Sequence, residues 1–272
     1  MTTKSVLSAL VLLAAAIPAE RAAAQRDNDD WLEQCRRSGG SWRDETPYCE
    51  VRQTGSRAPR GTLTVDGMRN GGITIVGWDR DSLHVVSRIR IEDRDRGDAR
   101  EIASRIRTYI RGSHVQVEGL RDMGRGSWNV NLVIYTPRRS DIDAATSNGP
   151  MAVEDLTGNI RVETSNGPLA LRNLAGTVYA RTSNGPLSIM LTGSRWQGSG
   201  LDARTSNGPL SLKVPDNYSA HLEAGTTNGP LSLGFPVTVV GRISKNISTD
   251  LGSGGPTIRA FTTNGPLSID RR

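Results

Sequence analysis

The feature that most constrains this chain is a hexapeptide that recurs six times. It reads Thr-Ser-Asn-Gly-Pro-Met from Thr146, Thr-Ser-Asn-Gly-Pro-Leu from Thr164, Thr182 and Thr205, and Thr-Thr-Asn-Gly-Pro-Leu from Thr226 and Thr262. The asparagines fall at 148, 166, 184, 207, 228 and 264, in steps of 18, 18, 23, 21 and 36 residues. Self-similarity at such a period means one structural unit repeated, each copy burying its apolar face against its neighbours. The last step is twice the first, which predicts a degenerate unit around Ile243 to Asn246.

Alignment on the motif threonine exposes the unit. Four residues before it stand Ile142, Ile160, Val178, Leu201, Leu222 and Ile258, and two before it Ala144, Val162, Ala180, Ala203, Ala224 and Ala260. The positions between are Asp143, Arg161, Tyr179, Asp202, Glu223 and Arg259. Apolar spacing of two is a strand with one buried face. A second strand follows the motif, as in Leu169-Ala170-Leu171 and Leu210-Ser211-Leu212. The motif leucine has the opposite parity to the threonine five residues earlier, so the pleat breaks between them. Asn148, Asn166, Asn184, Asn207, Asn228 and Asn264 thus mark corners, for which asparagine and glycine tolerate left-handed φ and proline removes a ladder donor.

A two-residue hairpin is the common meaning of Asn-Gly, but it does not explain identical columns at a period of 18. Parallel stacking of successive units does. The expected fold is mainly β: a single-stranded β-solenoid, or parallel β-helix, of six to seven coils over 141–272, with strands about 4.8 Å apart. Residues 61–140 read as an α+β cap with strands near 62–65, 72–76, 82–91, 115–118 and 128–135. One helix is expected there from Asp98 to Arg111, with Ile102, Ile106 and Ile110 on one face and Gly112 as its C-terminal cap. At the other end only the charges of Asp270, Arg271 and Arg272 guard the edge.

The only long apolar run lies in residues 1–24. Lys4, the stretch Val6 to Ile17 and Ala22-Ala23-Ala24 have the form of a secretory signal peptide, giving an exported protein, periplasmic or extracellular, with no transmembrane segment. Export makes Cys35 and Cys49 a disulfide in a separate segment, 25–60, because His84, His114 and His221 have no metal-ligand spacing to them. No metal and no cofactor are expected.

The segments GITIVGWDRDSLHVVSRI and VNLVIYTPRRSDIDAATSNGPMAVEDLTGNIRVETSNGPLAL resemble the bacterial putative adhesin family, a domain of unknown function built from glycine-turn strand repeats. The resemblance covers roughly residues 61–272. It implies an exported β-solenoid and no set of catalytic residues to carry over.

Two units exceed 18 residues, inserting Gly193 to Gly198 and Asp216 to Ser219 at the same corner. Arg195, Trp196 and Tyr218 on these neighbouring loops are the expected binding patch, two rings in a chain that is only 4% aromatic. Asp202 and Glu223 are the runner-up catalytic pair. On adjacent coils their backbones would lie about 4.8 Å apart, near the spacing of carboxyls in retaining glycosidases. Stacks such as Asp143 beside Arg161 and Glu163 beside Arg181 favour ordinary charge pairing instead.

Net charge is +6, yet 25–140 carries +4 and 141–272 carries +1, with no basic stripe for nucleic acid. Arg96-Gly97-Asp98 matches a cell-attachment tripeptide, at a length at which chance matches abound. The functional expectation is a non-enzymatic adhesin-like binding or scaffold module of the bacterial cell envelope, its partner an envelope protein or polysaccharide, with open coil ends that permit end-to-end self-association. The alternatives are a glycan-binding or glycan-cleaving solenoid using Asp202 and Glu223, and an envelope-stress signalling partner.

Overall fold

The computed structural model describes residues 19–38, 47–67, 71–92, 96–119, 127–235 and 245–272. The expected export segment falls largely outside them. The chain opens with helix α1 (Ala19–Arg37) and strand β1 (Tyr48–Arg57), then β2 (Leu63–Asp66), β3 (Ile73–Trp78), β4 (Ser82–Glu92) and helix α2 (Arg96–Arg105). Next come β5 (Arg107–Arg111), β6 (His114–Glu118) and β7 (Ser127–Pro137). The repeats follow as strand pairs: β8 (Ile142–Asn148) and β9 (Met151–Glu154), β10 (Thr157–Asn166) and β11 (Leu169–Arg172), β12 (Ala175–Asn184) and β13 (Leu187–Met190), β14 (Gly200–Asn207) and β15 (Leu210–Val214). The last elements are β16 (Ala220–Thr226), β17 (Leu231–Leu233), β18 (Asn246–Leu251), β19 (Thr257–Asn264) and β20 (Leu267–Arg271).

These strands make two open, mixed sheets of ten. Sheet A runs β1-β4-β7-β3-β9-β11-β13-β15-β20-β17, and sheet B runs β18-β16-β19-β14-β12-β10-β8-β2-β6-β5. Each repeat unit gives one strand to each sheet, and within a sheet the units pair in parallel with the expected columns aligned, Ile142 on Ile160 on Val178 on Leu201 and Met151 on Leu169 on Leu187 on Leu210. The inward residues of both sheets form one core cluster.

Three local contacts hold neighbouring layers together at the motif. The asparagines form a one-way file, Asn166 donating to Asn148, Asn184 to Asn166, Asn207 to Asn184, Asn264 to Asn207 and Asn228 to Asn264, each at 2.8–2.9 Å. Each buried motif threonine donates its hydroxyl to a glycine carbonyl of the neighbouring layer, as Thr182 does to Gly167 at 3.0 Å and Thr205 to Gly185 at 3.0 Å. The third contact is steric. A β-carbon on Gly167 would stand 2.2 Å from the Gly149 carbonyl oxygen, and one on Gly185 2.1 Å from that of Gly167. The expected left-handed φ is therefore corrected. No motif glycine or asparagine has positive φ, and glycine is required because the next layer's backbone occupies the place of its side chain. Among the described residues the left-handed non-glycines are Asp155 (φ 58°) and Asn173 (φ 51°), at the opposite corner, where Asn173 donates to Asp155 at 2.6 Å.

The layers begin before the motif does. Leu63 and Val65 pair with Ile142 and Ala144, and Ile73 and Ile75 with Met151 and Val153. The β6 and β7 strands stack in turn on β2 and β3. Antiparallel strands then close that end, β4 and β1 on sheet A and β5 on sheet B. The expected helix to Arg111 is corrected as well: α2 stops at Arg105, Ile106 is fully buried, and Ile110 lies in a β5–β6 hairpin. Gly112, at φ +63°, turns that hairpin instead of capping a helix. Thr108, Tyr109 and Ile110 are β-favouring residues whose cross-strand partners outweigh the fourfold isoleucine spacing.

The order of the last units also differs from expectation. The β19–β20 unit does not follow a degenerate coil at the chain's end but lies between the β14–β15 and β16–β17 units. Residues 236–244 lie outside the described set, and Asn246–Leu251 is the antiparallel β18 that closes sheet B on β16. The sequence offers a reason. Ile258, Ala260, Leu267 and Ile269 are fully buried and have neighbours on both sides, whereas Leu231 and Leu233 of the terminal β17 are half-buried. The Arg271 guanidinium sits 4.7 Å over Phe235 at that end.

Helix α1 lies against the outer face of sheet A. Arg88 of β4 pairs with Asp27 and donates to Asn28 at 2.8 Å, while Val86 and Val133 are buried on that face. The Cys35–Cys49 disulfide, with Cα atoms 6.3 Å apart, fastens the helix end to β1. Arg52 of β1 ties α2 down by donating to the carbonyls of Ala103 (2.8 Å) and Ile106 (2.5 Å) while paired with Glu50 at 2.7 Å. It supplies the carbonyl partners that a helix C-terminus needs. The hydrogen bond from Arg52 also holds the Glu50 carboxyl below the usual range, against the opposing effect of its burial.

Three outcomes follow. Gly167→Ala should cost about 2–4 kcal/mol in denaturant melts, far more than alanine at the open Gly61, with nothing within 4 Å, subject there to its own backbone strain of about 1 kcal/mol at φ +97°. Removing the disulfide by Cys35→Ser/Cys49→Ser should lower stability by about 3 kcal/mol, with amide exchange rising first in α1. Because Glu50 has a depressed folded pKa, its contribution is present above about pH 4.3 and lost as pH falls through the folded value. Exchange in α2 should accelerate over that acid window, and less so in Glu50→Gln.

Candidate functional site

The sites expected from the sequence are rearranged by burial. The two insertion loops are neighbours, joined by a bridge between Arg195 and Ser219 and by the Ser219 amide donating to the Ser194 carbonyl at 2.8 Å. Their rings, however, are core: Trp196 and Tyr218 are each 3% exposed. The Trp196 indole donates to the Gly176 carbonyl at 3.0 Å, and burial pushes the Tyr218 phenol up to about 12. The extra residues let each chain segment fold its ring inward as a plug, so the expected stacking patch is corrected; of its three members only Arg195 is exposed.

Asp202 and Glu223 are likewise separated. Both register against Arg259, which lies on the strand between them, so their backbones are two strand spacings, about 9.6 Å, apart. Arg259 donates to Glu223 at 2.7 Å and Arg204 to Asp202 at 2.7 Å. Two carboxylates each held by a guanidinium do not form an acid and nucleophile pair; the inserted unit is what parts them.

A different constellation lies alongside. His221 Nδ1 is 2.7 Å from Asp250 Oδ1, and the Ser248 hydroxyl is 3.2 Å from His221 Nε2. The hydrogen-bond order is that of a nucleophilic triad, but the residues stand on the outer face of the β16–β18 edge, and Glu223 Oε1 lies 3.8 Å from the same Nε2. The neighbouring cavity, about 480 Å³, is lined by Asp250 but not by Ser248 or His221.

The outward rings that do gather are on sheet A. His84 of β4 registers with Tyr135 of β7, whose other neighbour is Val76, two residues before Trp78 of β3. The alternation of each strand turns all three to the outer face, where they are half-buried. Trp78 lies 5.5 Å from Tyr135 and 6.1 Å from His84, stacked on the latter at 22°. The Trp78 indole donates to the Ser82 carbonyl at 2.8 Å, which fixes the ring across the turn. Around it, Arg80 lies 5.0 Å over the indole and Arg138 donates to Asp79 at 2.7 Å, a bond that holds the Asp79 carboxyl below its ordinary range. Burial, and secondarily the charge of Asp27 on α1, raises the Tyr135 phenol. Rigid rings with a polar rim are the composition of a recognition surface. The sequence held one signal for it: three aromatic side chains at outward positions in strands whose inward positions are mostly aliphatic.

Sheet B offers a shallow polar cleft of about 520 Å³ among Asp66, Ser147, Glu163, Ser165, Arg181 and Ser183. Tyr179 nearby has its ring flanked by the guanidinium groups of Arg161 (4.8 Å) and Arg181 (5.5 Å). Among the described residues no cluster of three or more histidine, cysteine or acidic side chains is placed to hold a metal ion, and no helix is long and apolar enough to cross a membrane.

No family model matches the chain, and no curated protein matches it. Among solved structures it is similar to a putative cell adhesion protein from Clostridium sporogenes, with 9% identity, 84% of this chain and 100% of the other covered, and a TM-score of 0.43. It is also similar to a putative adhesin from Bacteroides fragilis (10% identity, 82% and 97% covered, TM-score 0.29). A third is a putative lipid binding protein from Parabacteroides distasonis (8% identity, 81% and 96% covered, TM-score 0.33). Likeness at this level leaves the function of this chain to be argued from its own residues.

Trp196→Ala should cost about 3–5 kcal/mol in denaturant melts as a core truncation. Arg195→Ala, on the same loop, should stay within about 0.5 kcal/mol.

Proposed function

We propose that this chain is an exported, adhesin-like binding module of the bacterial cell envelope, wound as a β-solenoid whose outer face at Trp78, His84 and Tyr135 receives the partner. The carrying observation is that cluster: the Trp78 indole is fixed by its hydrogen bond to Ser82 and packed against His84 and Tyr135, rimmed by charge, on a sheet backed by a continuous core. A pinned ring loses little conformational freedom on binding. The Cys35–Cys49 disulfide supports an oxidising compartment, and the layered pairing of the motif units supports the solenoid reading.

The chemistry fits a polysaccharide best among envelope partners. Indole and phenol faces pack against the C–H faces of sugar rings, while Arg80, Asp79 and Arg138 offer donors and acceptors to hydroxyls. The reading is non-enzymatic, with Arg138 paired to Asp79 and Asp155 and Arg80 laid over the Trp78 ring. Helix α1 and β1, joined by the disulfide, act in it as a strap beside the surface.

The test is equilibrium binding to a panel of purified envelope polysaccharides. At least one should bind, with Trp78→Ala and Tyr135→Ala each weakening affinity by about tenfold or more while Arg195→Ala leaves it unchanged. Binding that survives both ring truncations would remove the cluster from the account, and binding to none would remove the polysaccharide.

A further inference from the structure

The out-of-order β19–β20 unit has a consequence for self-association, independent of what the aromatic cluster binds. It lies between two units with the same columns: Leu201, Ala203, Thr205, Asn207, Leu210 and Leu212 on one side, Leu222, Ala224, Thr226, Asn228, Leu231 and Leu233 on the other. Ile258, Ala260, Thr262, Asn264, Leu267 and Ile269 register with both sets. Side-chain identity therefore does not fix which copy of the unit fills the slot, because a second copy of the chain presents the same columns in the same register. If the unit leaves, the two flanking units can close on each other through the same leucine, alanine, threonine and asparagine positions.

The connection to this unit has the character of a hinge. Residues Gly252-Ser253-Gly254-Gly255-Pro256 carry the chain from β18 on one side of β16 to β19 on the other. Gly252, Gly254 and Gly255 sit at φ +55°, +71° and +137°, conformations that glycine leaves at no steric cost. Extending these five residues frees β19–β20 while β18 keeps its pairing with β16, at the cost of the Gly254-to-Leu251 and Ser253-to-Ser219 hydrogen bonds.

We propose that two copies of this chain exchange their β19–β20 units about the Gly252–Pro256 connection, each filling the other's slot between β14–β15 and β16–β17. The contacts in the exchanged dimer are those of the monomer, so only the hinge conformation and association entropy separate the two states. Concentration then decides between them. Reciprocal filling closes the pair with twofold symmetry and leaves no vacant slot to recruit a third copy.

The experiment uses the full chain carrying Ser211→Cys/Ser268→Cys, with the native disulfide intact. Ser211 and Ser268 are register partners on β15 and β20, and adjacent strands bring Cα atoms within disulfide range. The protein is incubated reduced at these two positions between about 10 µM and about 1 mM, then oxidised and separated under denaturing, non-reducing conditions. Peptide mapping should find the 211-to-268 linkage within single chains at low concentration and between chains at high, with the covalent dimer fraction rising about tenfold over this range. Gly254→Pro, which forbids the monomer's φ at the hinge, should raise the dimer fraction at every concentration. The proposal is overturned if the 211-to-268 linkage stays within one chain throughout. It is equally overturned if dimers form only through 211-to-211 or 268-to-268 links, which mark contact between surfaces instead of exchange.

Discussion

The structure depends on how closely one layer can approach the next at the Asn-Gly-Pro corner. With no side chain on the glycine, the carbonyl of the neighbouring layer's glycine occupies the space where a β-carbon would be. That approach brings the asparagine amides into a continuous file and sets each buried threonine hydroxyl against a carbonyl. The buried threonine hydroxyls are thereby satisfied within the stack, as burial requires, and the aliphatic columns on either side follow in register. The corner sets the axis, and the core fills along it.

From that axis the functional geography follows. The inward columns are consumed by the core, and even the two aromatic residues of the insertion loops fold into it. In the proposed reading, recognition falls to the outer faces. The two differ in kind: sheet B carries rows of alternating acids and arginines that pair with one another, whereas sheet A carries the Trp78, His84 and Tyr135 rings beside a helix held by a disulfide. The separation of Asp202 from Glu223 by the Arg259 strand shows how far unit order alone can decide a site's chemistry.

Much of this was legible in the sequence. Two-residue periodicity around the motif gives both strands of each unit, their buried columns and their parallel register, because each position is repeated often enough to outweigh local propensity. The disulfide follows from cysteine number and from the export expected of residues 1–24. What could not be read was non-local. The β2 and β3 strands form a layer like the others, but the sequence between them lacks the motif and escapes an alignment built on it. Ile102, Ile106 and Ile110 fit a helical stripe until β6 offers Ile110 a cross-strand partner. Trp196 and Tyr218 look like loop aromatics, since nothing in a loop's composition says which way it folds. The position of the β19–β20 unit is invisible because every unit fits every neighbour.

The most direct test of the stacking account is a side-chain amide NOE walk along the asparagines by NMR on the labelled full chain. The account predicts contacts linking Asn148, Asn166, Asn184, Asn207, Asn264 and Asn228 in that spatial order, with Asn264 seen by both Asn207 and Asn228. A direct Asn207–Asn228 contact in the dilute monomer would contradict the unit order, and asparagines without mutual contacts would contradict the stack itself.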